Sequence, residues 1–344
     1  MNTTSYYMNV TALNPISHIG KTASTGAIFN TERVNGRDVP YITGASGKGI
    51  LRRIGMEVML SMLGLDPDQA DGIITDAPTG KGLSRKQIEV LFNGSILTST
   101  GSRTVDVAQG AQLAELVPWF GIVGGCLGNM MMQGRISVHP MVLYCEENKP
   151  RLQAIEKHIN KRLFDEEGDG VSLGVEDVRP AREQLQRQSF THNDDFNRLG
   201  SSATRFLPPA ERQEMVQGMA LDFYERQEPD FQDDENHVQM RFSVQTIAAM
   251  SKFFWRIDTF DLTPLMEDAF MTTLGHFLAR PYIGGMRRMG MGLVDVAFVG
   301  QSRVEPVKAQ FSTAVSVNRV GGLYEAHLRE NRDEIVRLLE VLGT

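Results

Sequence analysis

Two glycine-rich segments carry cations at spacings that permit phosphate chemistry: residues 40–53, PYITGASGKGILRR, and residues 282–292, YIGGMRRMGMG. In the first, Gly44, Gly47 and Gly49 surround Ser46 and Lys48, and an amphipathic helix follows with Ile50, Ile54 and Val58 on one face. Glycines at a helix start let backbone amides approach an anion, and the helix dipole favours that anion. Lys48 and Arg52 lie one turn apart on a shared face and are expected to reach one run of phosphates. In the second segment Gly284, Gly285, Gly290 and Gly292 make the backbone pliable, while Arg287 and Arg288 supply guanidinium donors. Together the segments read as a cradle for a phosphate backbone. Each taken alone also reads as a plain chain reversal.

Spacing excludes two better-known glycine motifs. A P-loop has four residues between its glycines and Ser or Thr after the lysine. Here only Ala45 and Ser46 separate Gly44 from Gly47, Gly49 follows Lys48, and at 77–84 Gly82 follows Lys81. The cofactor turn of short-chain dehydrogenases is out of register by one position, and no tyrosine has a lysine four residues later. Nucleotide hydrolysis and hydride transfer therefore have no support. The cysteines Cys126 and Cys145 form no short motif with the seven scattered histidines, so neither a metal site nor a cofactor is expected. Unpaired cysteines fit a reducing cytoplasm. No apolar run reaches membrane-spanning length, and residues 1–10 lack the charged and apolar regions of a secretory signal.

The net charge of −7 argues against nucleic-acid binding by bulk charge. Its distribution argues otherwise. Residues 1–60 hold six basic and three acidic side chains, and residues 280–319 hold six and two. Residues 161–235 hold nine and eighteen, so positive charge gathers at the glycine segments and negative charge in mid-chain.

The elements that must position these residues follow from periodicity and punctuation. Residues 6–13 and 39–43 read as strands, with a polar loop over 18–38 between them. Residues 45–63 read as a helix broken by Asp66-Pro67. Residues 134–144 alternate as a strand with Pro140 at an edge or bulge, and 151–164 suit a helix. The acidic stretch 161–235 reads as an insertion, partly helical over 210–227. Residues 237–247 and 253–257 are expected as strands of one sheet. Residues 262–278 form an amphipathic helix with Thr263 as cap and Pro264 in its first turn. A strand over 293–299 follows the second glycine segment, and a terminal helix starts near Gly322. Without insertions the order is strand, helix, strands, helix, strand, an α+β ferredoxin-like (RRM-like) pattern with one sheet face open to a nucleic acid.

The chain resembles the backbone subunit of class 1 CRISPR effector complexes, within the RAMP superfamily, and among subtypes the type IV protein. Pro40, Tyr41, Ile42, Gly44, Ser46, Lys48, Gly49 and Arg52 match that family's signature, with Gly47 where leucine is usual. WFGIVGG at 119–125 is similar to its "leucine-phenylalanine-glycine" segment, and 282–292 to its C-terminal glycine-rich loop. The resemblance implies an RRM-like palm from residues 1–160 and 236–322, a thumb from 161–235 and a C-terminal helix at 323–344, with further insertions as fingers. It implies a ribonucleoprotein of antiviral defense: guide RNA (crRNA) is held by its phosphates, a complementary target nucleic acid pairs with it, and further copies and other subunits join in a helical filament. Ser46, Lys48, Arg52, Arg53, Gly284, Gly285, Arg287 and Arg288 would contact RNA, with His18 and Lys21 bordering the groove.

Relatives that cut target RNA carry an aspartate in the loop where Asn30 or Thr31 falls here, followed by Glu32. An amide or hydroxyl cannot act as a general base or hold a metal as a carboxylate does, so the expectation is a subunit without catalytic residues. The alternatives are the same scaffold with endoribonuclease activity through Glu32, Asp38 or His18, or a stand-alone enzyme using the glycine segments for a nucleotide.

Overall fold

The computed structural model describes residues 2–23, 26–65, 89–94, 107–127, 130–163, 171–191, 241–304, 309–312, 315, 317 and 322–343. Its spine is the strand β1 (Thr3–Ala12), which alternates between two faces. Tyr6, Met8, Val10 and Ala12 point to one side; Ser5, Tyr7 and Asn9 point to the other, as period-two geometry dictates. Short strands β2 (Ile16–Ser17), β3 (Ile19–Ala23), β4 (Gly26–Phe29), β5 (Thr31–Val34) and β6 (Arg37–Ile42) follow. The stretch expected as a polar loop over 18–38 is thus mostly strand. Asn35 (φ 50°) and Gly36 (φ 80°) are both left-handed, as a two-residue hairpin between β5 and β6 requires.

Helix α1 (Gly44–Met62) starts where Thr43 takes the N-cap and its hydroxyl accepts from the Ser46 amide. Next come α2 (Val107–Leu116), α3 (Pro118–Val123), β7 (Gly125–Leu127) and β8 (Met130–Met132). The expected strand at 134–144 is two pieces, β9 (Ile136–Val138) and β10 (Met141–Leu143), broken at His139-Pro140. Helix α4 (Lys149–Leu163) precedes β11 (Leu185–Thr191), β12 (Arg241–Ile247) and β13 (Lys252–Phe260). Helix α5 (Pro264–Ala279) is capped by Thr263, whose hydroxyl accepts from the Met266 amide, with Pro264 in its first turn. Strands β14 (Val294–Val304) and β15 (Ala309–Ser312) lead to the C-terminal region, which is two helices, α6 (Gly322–Glu330) and α7 (Arg332–Gly343).

The main sheet runs β15-β14-β1-β13-β10-β6-β5, with β9 also on β13, and every pair is antiparallel. Helices α1 and α5 cover one face. There Tyr6 meets Phe270 with ring centroids 5.2 Å apart, and Trp255 meets Phe277 edge-on at 5.9 Å. The opposite face is not open to a ligand, contrary to the expectation from the pattern. Tyr7, Val142, Tyr144 and Phe254 on that face are buried in one cluster with Leu152 and Ile159 of α4 and with Leu173 and Val175. A second sheet, β11-β12-β4-β3 with β2 on β12, takes the strand expected beside 253–257. The chain switches sheets at Met250 (φ 66°), so β12 and β13 belong to different layers. Most of the acidic insertion, including the helix expected over 210–227, lies outside the described residues.

Candidate functional site

Three of the glycines in and beside the first segment serve packing. A side chain on Gly44 would strike the Val138 carbonyl, and one on Gly55 would enter the Trp119 indole. A Cβ on Gly47 would lie 2.9 Å from Cγ1 of Val138 and 3.2 Å from the Trp255 ring. These residues let α1 settle directly on β9, β13 and α3; only Gly49 faces open space. Ser46 is likewise committed locally, its amide bound to the Thr43 hydroxyl and its own hydroxyl accepting from Thr43 at 2.9 Å.

The cations of α1 divide between two flanks. At about 100° per residue, Lys48 and Arg52 fall within one narrow arc, whereas Arg53 stands roughly 140° away from Lys48. On the first flank a groove of about 600 Å³ runs between α1, the 123–126 turn and the 131–137 segment. Lys48 lines it half-buried, and desolvation, then the charge of Arg52, lowers its pKa. Arg52 is only 9% exposed. Its Nη2 donates to the carbonyls of Val123 (3.2 Å) and Gly124 (2.7 Å), and Gly94 packs against the guanidinium. The residue expected to carry a phosphate is thus a buried clamp joining α1 to the end of α3, and burial lowers its pKa.

On the second flank the two distant glycine segments do converge. Tyr282 lies beneath the Arg287 guanidinium, 4.8 Å from its ring centroid. Burial, then the charge of Arg53, depresses the Arg287 pKa, while Glu57 and Tyr282 oppose that shift. Both Arg287 and Arg288 are exposed on a single 3₁₀ turn, flanked by left-handed Met286 and Gly290. The loop is fixed from below: the Gly285 amide donates to the Ser17 carbonyl at 2.8 Å and the Gly292 amide to the Pro15 carbonyl at 2.9 Å. Gly284 (φ 81°) is required there, because a side chain would strike the Ser17 carbonyl; Gly285 meets nothing.

His18 joins this framework from inside. It is 8% exposed, and its Nε2 accepts from the Thr43 amide at 3.4 Å and lies 3.1 Å from Nδ2 of Asn30. An accepting Nε2 places the proton on Nδ1, and desolvation lowers the pKa. His18 therefore orients the start of α1 through the Thr43 amide. Lys21 lies in β3; its side chain is outside the described residues. Glu32 is paired with Arg151 of α4 at 2.6 Å, and Arg37 with Glu147 at 3.3 Å, so the β5–β6 hairpin is pinned to the α4 end. Among the described residues no group of three or more His, Cys, Asp or Glu side chains could hold a metal. None of their helices is long and apolar enough to cross a membrane. The groove-lining Met131, 87% exposed, had no signal in the sequence, since Met130, Met131 and Met132 form a run without periodicity.

No protein-family model and no curated protein matches the chain. Among solved structures it is similar to a chain of a Type IV-B CRISPR complex, at 15% identity and TM-score 0.44 over 94% of this chain and 98% of the other. It is also similar to Thermofilum pendens Csc2, at 15% identity and TM-score 0.34 over 99% and 80%. A third is a chain of the Type III-B Cmr-beta complex bound to cognate target RNA, at 9% identity and TM-score 0.42 over 86% and 97%.

Proposed function

We propose that the chain is a backbone subunit of a class 1 CRISPR effector, of type IV character, that holds guide RNA by its phosphates. The observation that carries this reading is the convergence of Arg53 with Arg287 from segments more than two hundred residues apart, on a rigid turn that also presents Arg288. Like charges brought together with Glu57 as the nearby carboxylate among the described residues suit a polyanion. Guanidinium groups give bidentate contacts to phosphate oxygens. Lys48 extends the path around the first turns of α1. The strand order β14-β1-β13-β10, with α1 and α5 on one face, supports a ferredoxin-like palm. Since the other face is covered, RNA runs along the α1 and loop edge rather than over the sheet. Residues 161–235 serve as the thumb, copies associate head to tail, and guide–target pairing reads sequence.

The reading includes no cleavage. Asn30 offers an amide beside His18, and the Glu32 carboxylate is engaged by Arg151. The test is co-expression with a guide, followed by sizing, nuclease digestion and incubation with matched labelled RNA and magnesium or manganese. Large defined particles with protected RNA and intact target are expected. RNA-free monomers alone, with guide present in the cell, would overturn the binding role. Regularly spaced products lost in Glu32→Ala or Asp38→Ala would establish the nuclease alternative.

A further inference from the structure

At the end of β1 the chain leaves three large apolar side chains in water at one corner: Leu13, Met250 and Met289 are 45%, 63% and 44% exposed. Backbone bonds make them neighbours. The Met250 amide donates to the Ala12 carbonyl at 2.6 Å and the Leu13 amide to the Leu293 carbonyl at 2.9 Å. The Asn14 side chain donates to the Gly290 carbonyl at 2.8 Å. Leu13 thus stands between Met250 on one side and the Met289 end of the 3₁₀ turn on the other. Single exposed apolar residues are ordinary, but a group of them marks a contact surface. Backbone conformation adds a second observation. Met250 is left-handed at φ 66°, a region that glycine enters freely and a bulky residue only at a cost. Its side chain is mostly in water, so burial in the fold does not offset that strain. Exposed Arg287 and Arg288 precede Met289 on the same turn, and exposed Arg280 precedes Pro281, whose carbonyl accepts from the Val294 amide next to Leu293. Asp295 opposite Thr11 and Glu57 near Arg287 are outnumbered by these three arginines with Arg53.

We propose that this corner docks an acidic amphipathic helix of another protein, with its apolar stripe on Leu13, Met250 and Met289 and its carboxylates toward Arg280, Arg287 and Arg288. An apolar group rimmed by cations is complementary to a stripe flanked by carboxylates. Two of the three anchors are methionines, whose unbranched, polarisable side chains pack against varied partners. The left-handed Met250 is then explained, because its side chain gains outside the chain what the backbone loses. The contact goes beyond the RNA-binding role above and does not rest on it, since Leu13 and Met250 lie off the proposed phosphate path.

The probe is a fluorescein-labelled synthetic helix of leucine and glutamate with one apolar face, titrated against the RNA-free full chain and followed by anisotropy. The comparators are a scrambled peptide of the same composition and a leucine–lysine helix of the same pattern. Binding is expected for the first peptide and should be about tenfold weaker, or absent, for the other two. Met250→Gly removes an anchor and relieves the left-handed backbone. Its urea midpoint should match or exceed the parent's while its affinity for the peptide falls about tenfold. No binding by the parent, equal binding of either comparator, or unchanged affinity in Met250→Gly would overturn the proposal. A lowered midpoint in Met250→Gly would also overturn it, because the side chain would then serve the fold. Weakened guide-RNA binding in Met250→Gly with peptide affinity intact would assign the corner to RNA instead.

Discussion

Replacing Gly49 and Gly55 of α1 in turn by alanine separates a packing role for these glycines from an anion-binding one. Both lie inside the helix, so alanine brings the same intrinsic gain, about 1 kcal/mol. At Gly49 a Cβ meets nothing within 4 Å, and that gain should appear almost intact. At Gly55 the new methyl enters the indole of Trp119, a fully buried ring whose Nε1 donates to the Arg52 carbonyl at 3.3 Å. Overpacking of a core costs about 1–3 kcal/mol, and weakening that hydrogen bond adds about 1 kcal/mol. Gly55→Ala should thus lose about 1–3 kcal/mol net, placing the two variants about 2–4 kcal/mol apart. With a urea m-value of about 3 kcal/mol/M, their unfolding midpoints should differ by about 1 M. The assay is urea unfolding of RNA-free protein followed by tryptophan fluorescence, which also reports on Trp119. A Gly55→Ala midpoint at or above the parent, or a Gly49→Ala midpoint well below it, would refute the packing argument.

Arg53→Ala with Arg287→Ala should weaken RNA binding and lower its salt slope by about 0.7–0.9 for each phosphate no longer neutralised, measured by titration at several salt concentrations. Arg52→Met should instead change the unfolding midpoint with little effect on that slope, because its guanidinium faces carbonyls; Arg182→Ala with Arg187→Ala is the control pair for the slope. His18 supplies a pH dependence. Its folded pKa lies below the ordinary 6.5, so its contribution to stability is complete above that value and is lost as pH falls through the folded pKa. His18→Asn should flatten the decline in stability below about pH 6.5, measured as urea midpoints between pH 7 and 5; an unchanged decline would mean that other groups set it.

What could be read in the sequence was local. Thr43 and Thr263 announce their helices because a capping hydroxyl bonds an amide three residues on, and Pro264 marks the first turn for the same local reason. The shared face of Lys48 and Arg52 was also legible, and both do line one groove. The depth of each side chain was not, because it depends on carbonyls of Val123 and Gly124 some seventy residues away. The strands β3 to β5 escaped notice because Gly, Lys, Thr and Glu alternate poorly, and their pairing comes from β6 and from distant β12. Glycine misled most. The same residue type that lets an amide approach an anion also lets a helix approach a sheet, and only the neighbours' positions tell the two apart.

A net charge of −7 does not set the field at this edge of the molecule. Helix α1 has no acidic residue in its first turn, and its cations lie near its N-terminal half, where the helix dipole adds to rather than offsets their charge. Burial is the first cause lowering the pKa of Lys48 and Arg52, so the fold holds these two cations partly out of water. Such an arrangement is less stable alone than with an anion beside it, since removing water from a charge costs several kcal/mol unless a counter-charge replaces it. Arg52 finds that partial compensation in two carbonyls and belongs to the structure. Lys48 borders a groove whose described lining holds no carboxylate, while Arg287 lies over the Tyr282 ring within reach of the charges of Arg53 and Glu57. On the proposed reading, a phosphate backbone passing around α1 reaches both flanks.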